Sequence, residues 1–217
     1  MDFRNGQELL MRCHEEKLPI SDIMKLREMT NTNQSSDLIQ TKLETVLRIM
    51  ESSARKPIAK PGKSIGGLIG GEARKVSDHA RDGKSICGTM LSKAIAYSLA
   101  VLETNASMGL IVAAPTAGSS GVLPGTLLAA KDSLELSNDD LYKGLLNASA
   151  IGYLLMRNAS VSGAEAGCQA EVGAASAMAA SALVEMFIMP KFRIAGIMLH
   201  NDTINDSVDK LTEEFPM

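Results

Sequence analysis

The chain predicts a mainly α-helical fold arranged as a single domain, and three observations carry that expectation. Apolar residues recur at intervals of three and four over several long stretches, as they do in helices that bury one face. Aromatic residues are 3% of the 217 and tryptophan is absent, so Ala, Leu, Met and Ser must fill the core, which suits close-packed helices better than a β-sandwich. No strand-length apolar run returns at regular intervals, so neither a βα alternation nor an all-β meander is expected. With 45% apolar residues the chain is rich enough to bury a sizeable core and too rich to be disordered over most of its length.

Taken in order, residues 5–16 and 20–29 are expected to form two short helices, the second capped by Ser21 behind Pro19, with a polar linker from Asn31 to Ser36. From there Leu38, Ile39, Leu43, Val46, Leu47 and Met50 trace one helical face. Asp37 suits the positive end of that helix, and Pro57 is expected to end it. The basic stretch Arg55, Lys56, Lys60, Lys63 lacks interleaved aromatics for base stacking and reads as a solvated linker. Gly66-Gly67-Leu68-Ile69-Gly70-Gly71 reads as a flexible connection, with a mobile active-site flap as the alternative.

Glu72 to Asp82 predicts a short helix stopped by Gly83. Thr89 to Ser107 predicts a long one with Met90, Leu91, Ala94, Ile95, Leu99 and Leu102 on one broad face. A further helix starts near Val122. Asn138-Asp139-Asp140 opens another, apolar at Leu141, Leu145, Leu146, Ile151, Leu154 and Leu155, and the last runs from about Gly163 to Met189 and stops at Pro190.

Several function classes are disfavoured. A net charge of −3 gives no general attraction to nucleic acid or an anionic membrane. The uncharged span Thr104 to Ala130 is long enough to cross a bilayer, but Pro115, Pro124 and the polar Thr-Ala-Gly-Ser-Ser-Gly centre would leave backbone groups unpaired in lipid. No membrane span is therefore expected, and Gly121-xxx-Gly125 and Gly163-xxx-Gly167 read as tight helix contacts. Cys13, Cys87 and Cys168 are odd in number and far apart, and no signal-peptide pattern opens the chain, so a reducing cytoplasm is expected. Gly62-Lys63-Ser64 and Gly83-Lys84-Ser85 lack the leading glycine of a phosphate loop, where Pro57 and Asp78 stand instead. His14, His79 and His200 show no zinc-ligand spacing, and there is no serine-hydrolase elbow.

Two segments remain that ordinary packing explains less well. Gly163-Ala-Glu-Ala-Gly-Cys168-Gln-Ala-Glu-Val-Gly173 sets one thiol among glycines, an amide and two carboxylates. Cys168 is either a small buried hydrophobe or a soft ligand, and the carboxylates of Glu165 and Glu171 need partners or a role in proton handling. Thr116-Ala-Gly-Ser-Ser-Gly121 is either a capping loop before a helix or a cradle for a carboxylate, built from hydroxyls and free amides.

Ser162 to Gly173, with Asn105-Ala-Ser-Met-Gly109 and Ala113-Ala-Pro-Thr-Ala-Gly-Ser-Ser-Gly-Val-Leu-Pro-Gly125, closely resembles the α chain of the bacterial iron–sulfur L-serine dehydratases, over about residues 1–186. The resemblance implies a helical catalytic domain, here residues 1–189, followed by a divergent tail at 190–217. It also implies a [4Fe–4S] cluster, deamination of L-serine to pyruvate and ammonia, a β chain or β domain that completes the site, and an oligomeric enzyme. On that resemblance Cys168 matches the first of three cluster cysteines. The Cys-Asp-Pro and Pro-Cys-Ile segments that carry the other two do not occur in this sequence. A cubane held by three thiolates leaves one iron open as a Lewis acid toward the substrate. Thr116, Ser119 and Ser120 are then the candidates for the carboxylate cradle, and Asn105, Glu165 and Gln169 for contact with the substrate amine or for support behind it. The alternative is a non-catalytic helical subunit that binds a β-chain partner and no cluster, suggested by the cysteine-free tail. A pyridoxal phosphate enzyme is disfavoured, since no lysine stands in a Schiff-base context and α/β alternation is missing.

Overall fold

Asn5 starts the first helix by accepting a hydrogen bond from the Glu8 backbone N–H, which fixes α1 at Gly6–Glu16. The computed structural model describes residues 2–83 and 85–192, and every element of regular secondary structure among them is a helix, as expected. The second helix, α2, spans Ile20–Thr32 and is entered through Pro19, whose φ of −68° and ψ of 164° place it as the N-cap. Ser21 is therefore not the cap: it lies inside the first turn, fully buried. The helix also outruns its expected end, leaving a linker of residues 33–35 only.

Ser35 caps α3 (Ser36–Ala59) by accepting from the Leu38 N–H. Pro57 was expected to stop this helix, yet it sits within it. A proline there withdraws the N–H that would have bonded the Ser53 carbonyl, and a side chain replaces that donor: Thr104 Oγ1 donates to Ser53 O at 2.9 Å. Helical bonding resumes at once, from Lys60 N to Lys56 O at 2.8 Å. The supposed basic linker is thus in part the end of a helix. The glycine-rich segment beyond it closes on itself, with Ser64 N bonded to Ile69 O at 2.7 Å and Ile65 and Leu68 exposed at its tip.

Helix α4 (Glu72–Arg81) begins where the buried Glu103 accepts from the Ala73 N–H at 2.8 Å, so a carboxylate of the next helix caps its positive end. That next helix is α5 (Gly88–Ala106), and α6 (Val122–Leu134) packs on it without side chains between them at two places. A Cβ on Gly121 would lie 2.6 Å from Ser98 O, and one on Gly125 would lie 2.1 Å from Ser98 Oγ and 2.9 Å from Ala94 O. The Gly121-xxx-Gly125 spacing is the tight helix contact its sequence suggested. The region between α5 and α6 is irregular, so Thr104 to Ala130 is not one spanning helix.

Helix α7 (Asn138–Asn158) opens with a reciprocal capping box between Ser137 and Asp140. The final expected helix is broken: Ser162 caps the single turn α8 (Gly163–Ala166), Gly167 takes φ +84°, and α9 (Cys168–Phe192) starts afresh. Only a residue without Cβ makes that turn cheaply, so this glycine marks a corner rather than a helix contact. Helix α9 also continues past Pro190, and the remainder of the expected tail lies outside the described residues.

Residues Cys168–Phe187 are long and apolar enough to cross a membrane by length and composition. In the fold one face of this helix packs on the core, with Ala175, Ala182 and Met186 buried, and the opposite face, with Val172 and Val184, is exposed. The α7 glycines make room for its methionines, since a Cβ on Gly144 would meet Met186 Sδ at 2.5 Å and one on Gly152 would meet Met178 Cε at 2.9 Å. The main core joins Leu47, Val101, Leu127, Leu141 and Met186, and a second cluster gathers Phe3, Leu9, Ile23 and Leu146.

Two ion pairs tie α3 to α6 at the edge of this core, Lys131 Nζ with Glu51 Oε1 at 3.0 Å and Arg55 with Asp132. Arg55 Nη1 and Nη2 donate to Asp132 at 2.9 and 2.8 Å, and the Tyr97 hydroxyl donates to the same carboxylate at 2.5 Å. Burial pulls the Asp132 carboxyl upward, but the bonds from Arg55 and Tyr97 outweigh it and hold the group below the ordinary aspartate value. Burial and that same carboxylate push Tyr97 up to about 12. A depressed carboxyl stabilises the fold above its unfolded pKa and loses that contribution as pH falls through the folded one. Urea midpoints are therefore expected to stay level near neutrality and to drop below about pH 4. Asp132→Asn should start lower and show a shallower acid decline. Parallel acid declines in the two proteins would mean that Asp132 contributes none of it.

Candidate functional site

The loop between α5 and α6 folds around its own hydroxyls. After a cis Ala114–Pro115 bond, Thr116 Oγ1 lies 3.0 Å from Ser119 Oγ, and Ser119 Oγ donates to Ala114 O at 3.4 Å. Ser120 Oγ donates to Ala117 O at 2.8 Å, and Asn105 Nδ2 reaches the same carbonyl from the end of α5 at 3.1 Å. Ser119 and Ser120 are both buried, so their hydroxyls shape the loop from within, while Thr116 is the half-buried member at its face.

A carboxylate does sit on that face, and it belongs to the chain itself. Thr116 Oγ1 donates to Glu171 Oε1, from the first turn of α9. Two glycines flank the carboxylate: a Cβ on Gly118 would fall 2.6 Å from Glu171 Oε1, and a Cβ on Gly163 would fall 2.6 Å from Oε2. Any side chain at either place would displace Glu171, so the loop and the Gly163–Gly173 segment fit together through this one group. Gly163 thus serves a carboxylate and not a helix contact as its spacing suggested. Glu171 was quoted in the motif but not assigned a place in the site. Its signal was the spacing of three from Cys168, which puts it one turn further along the same helix edge.

The thiol lies beside this junction. Cys168 is the first residue of α9, exposed and unpaired, and Gln169 next to it is exposed as well. Glu165 is exposed in the preceding turn, and its Oε2 accepts from Ser160 Oγ at 2.6 Å. Thr116, Ser119, Asn105 and the Cys168 helix are thus brought to one place, whereas the Glu165 carboxylate is held by Ser160.

The other two thiols are separate. Cys13 is half-buried on α1, and burial together with the charge of Glu185 pushes its thiol up to about 11, where it stays protonated. Cys87 is exposed immediately before α5. Among the described residues no three His, Cys, Asp or Glu side chains are grouped to hold a metal ion. A [4Fe–4S] cluster fits Cys168 as one thiolate, and the described residues do not assemble the rest of a ligand set.

Fold and site together define an all-helical domain in which a helix start presents a thiol and seats its next-turn carboxylate in a hydroxyl-bearing loop. Residues 15–191 match the serine dehydratase alpha chain family, and the chain belongs to that family. It is 43% identical over 184 residues to "Probable L-serine dehydratase, alpha chain" of Bacillus subtilis (strain 168), covering 85% of this chain and 61% of that protein. It is 41% identical over 184 residues to "L-serine dehydratase, alpha chain" of Peptoniphilus asaccharolyticus, covering 85% and 63%. With "L-serine dehydratase" of Helicobacter pylori (strain ATCC 700392 / 26695) it shares 36% identity over 85% of its length and 41% of the relative's. The chain therefore spans about three fifths of the length of the two alpha-chain relatives.

Proposed function

We propose that this chain supplies the α-chain part of an L-serine ammonia-lyase and that the Thr116–Glu171 junction beside Cys168 is its substrate-facing surface. Membership of the family supports this reading, and the meeting of the two motif segments at Glu171 carries it. In the reaction L-serine loses its α-proton and its β-hydroxyl leaves as water. The resulting 2-aminoacrylate tautomerises to an imine, and addition of water releases ammonia and pyruvate. Glu171 accepts from the substrate ammonium, Thr116 orients Glu171, and the buried Ser119 and Ser120 hold the loop in register. Asn105 fixes the loop from behind through the Ala117 carbonyl. Cys168 would be one thiolate ligand of an iron–sulfur cluster, which would supply Lewis-acid chemistry toward the hydroxyl, with the remaining ligands coming from outside the described residues. A β chain completes the site, and the assembled enzyme is cytoplasmic.

Anaerobic reconstitution with iron and sulfide, followed by addition of a β chain and L-serine, tests the proposal. The expected result is a visible charge-transfer band and pyruvate release, both lost in Cys168→Ala while far-UV circular dichroism is unchanged. One second reading, a partner-binding subunit without a cluster, is suggested by the sequence after Cys168, which carries no further cysteine. A folded protein that binds a β chain yet takes up no iron would establish that reading and sink the lyase one.

A further inference from the structure

Three buried oxygens in one corner of the core have no hydrogen-bond partner: Glu185 Oε1, Asn147 Oδ1 and Ser21 Oγ. Their residues are joined to one another. Asn147 Nδ2 donates to Glu185 Oε2 at 2.7 Å, and the Ser21 backbone N–H donates to the same oxygen at 3.3 Å. Glu185 comes from α9, Asn147 from α7 and Ser21 from the first turn of α2, so three helices meet there. Their exposures are 6%, 1% and 0%.

Buried polar atoms are almost always paired, and three orphans on residues that share the bonds of one carboxylate call for an occupant. The chemistry of the orphans defines it. An all-oxygen set of a carboxylate, an amide carbonyl and a hydroxyl suits a hard cation, whereas zinc and iron sites draw on nitrogen or sulfur ligands or on several carboxylates. Charge points the same way, because no cationic side chain among the described residues bonds to Glu185. The start of α2 lends partial positive charge to Oε2 only. Cys13, whose thiol feels the Glu185 charge, is neutral and offers none. One carboxylate carries one negative charge, so a monovalent ion neutralises the corner and a divalent one would leave an excess. The three atoms are sealed from solvent, which limits the occupant to the size of a bare ion or a water.

We propose that Glu185 Oε1, Asn147 Oδ1 and Ser21 Oγ form a monovalent-cation site, for Na⁺ or K⁺, that fastens the start of α2 to α7 and α9. The site is independent of the lyase reading. Thermal unfolding of the full chain in equal concentrations of KCl, NaCl and tetramethylammonium chloride tests it. Wild type is expected to melt about 5 °C higher in at least one alkali salt than in the tetramethylammonium salt, whose ion is too large to enter. Glu185→Gln removes the charge and should melt at one temperature in all three. Ser21→Ala removes one ligand oxygen and should raise the alkali-salt concentration needed for half the shift. Without an ion, losing an unpaired hydroxyl would leave melting unchanged or higher in every salt alike. If Glu185→Gln does not fold, Ser21→Ala decides alone. A wild type that melts identically in the three salts, as a protonated Glu185 bridged by water would, overturns the proposal, and so does an alkali shift undiminished in the variants that fold.

Discussion

Glu171→Ala is expected to lower pyruvate formation by the chain assembled with a β chain about 100-fold, the order of loss that follows a misplacement of about 1 Å at a reacting site. Thr116 would lose its acceptor, and the space between Gly118 and Gly163, held open for a carboxylate, would be left unfilled. The loop and the start of α9 would then drift apart without the core being touched, so far-UV circular dichroism and melting temperature should change little. Glu171→Gln keeps an acceptor oxygen of the same shape and should retain the Thr116 bond while losing the negative charge. Comparing the two separates positioning from electrostatics: if glutamine is as inactive as alanine, the charge matters, and if it recovers most of the rate, the bond to Thr116 does. An alanine variant as active as wild type would remove Glu171 from the site.

The largest loss of stability is expected from Gly125→Val, about 3 kcal/mol. Even a methyl group at position 125 would overlap Ala94 O and the Ser98 backbone nitrogen, both 2.9 Å from the added Cβ. Ser98 Oγ could rotate away, but the backbone of α5 cannot. The two helices must separate, and Leu123, Leu127 and Leu128, buried on α6, would be drawn out of the core with them. A melting temperature lower by roughly 6 to 12 °C should follow in a domain of this size. Gly173→Ala is the control: that glycine lies in exposed helix with nothing within 4 Å of an added Cβ, and alanine there should stabilise slightly. Equal melting of the valine variant and wild type would show that the contact between α5 and α6 is looser than its geometry states.

Helix positions were readable in the sequence because their apolar spacing is a property of each segment alone. Leu38 to Met50 and Met90 to Leu102 lie in helices close to their expected limits. Several misreadings occurred where a distant residue decides. Pro57 looked like a terminus because the Thr104 hydroxyl that relieves it lies in another helix. Arg55 looked solvated because Asp132 is far along the chain. Gly163 and Gly167 shared the spacing of Gly121 and Gly125, but one pair faces a helix backbone while the other faces a carboxylate and turns a corner. At the site, the two motif segments were legible as unusual, and their meeting was not, since it depends on Glu171 reaching across from α9. The burial of Ser119 and Ser120 was equally invisible, because a hydroxyl-rich loop has the same composition whether its side chains turn outward or in.

The hydroxyl that Thr104 lends to the Ser53 carbonyl ties together two positions that no local rule connects. A proline at 57 is better tolerated while a donor stands at 104, so the order in which these residues can change is biased. Loss of the threonine first would leave α3 with an unpaired carbonyl, whereas loss of the proline first would free position 104 to vary. Descendants of such a chain would be expected to inherit the two as a unit, each recording the presence of the other.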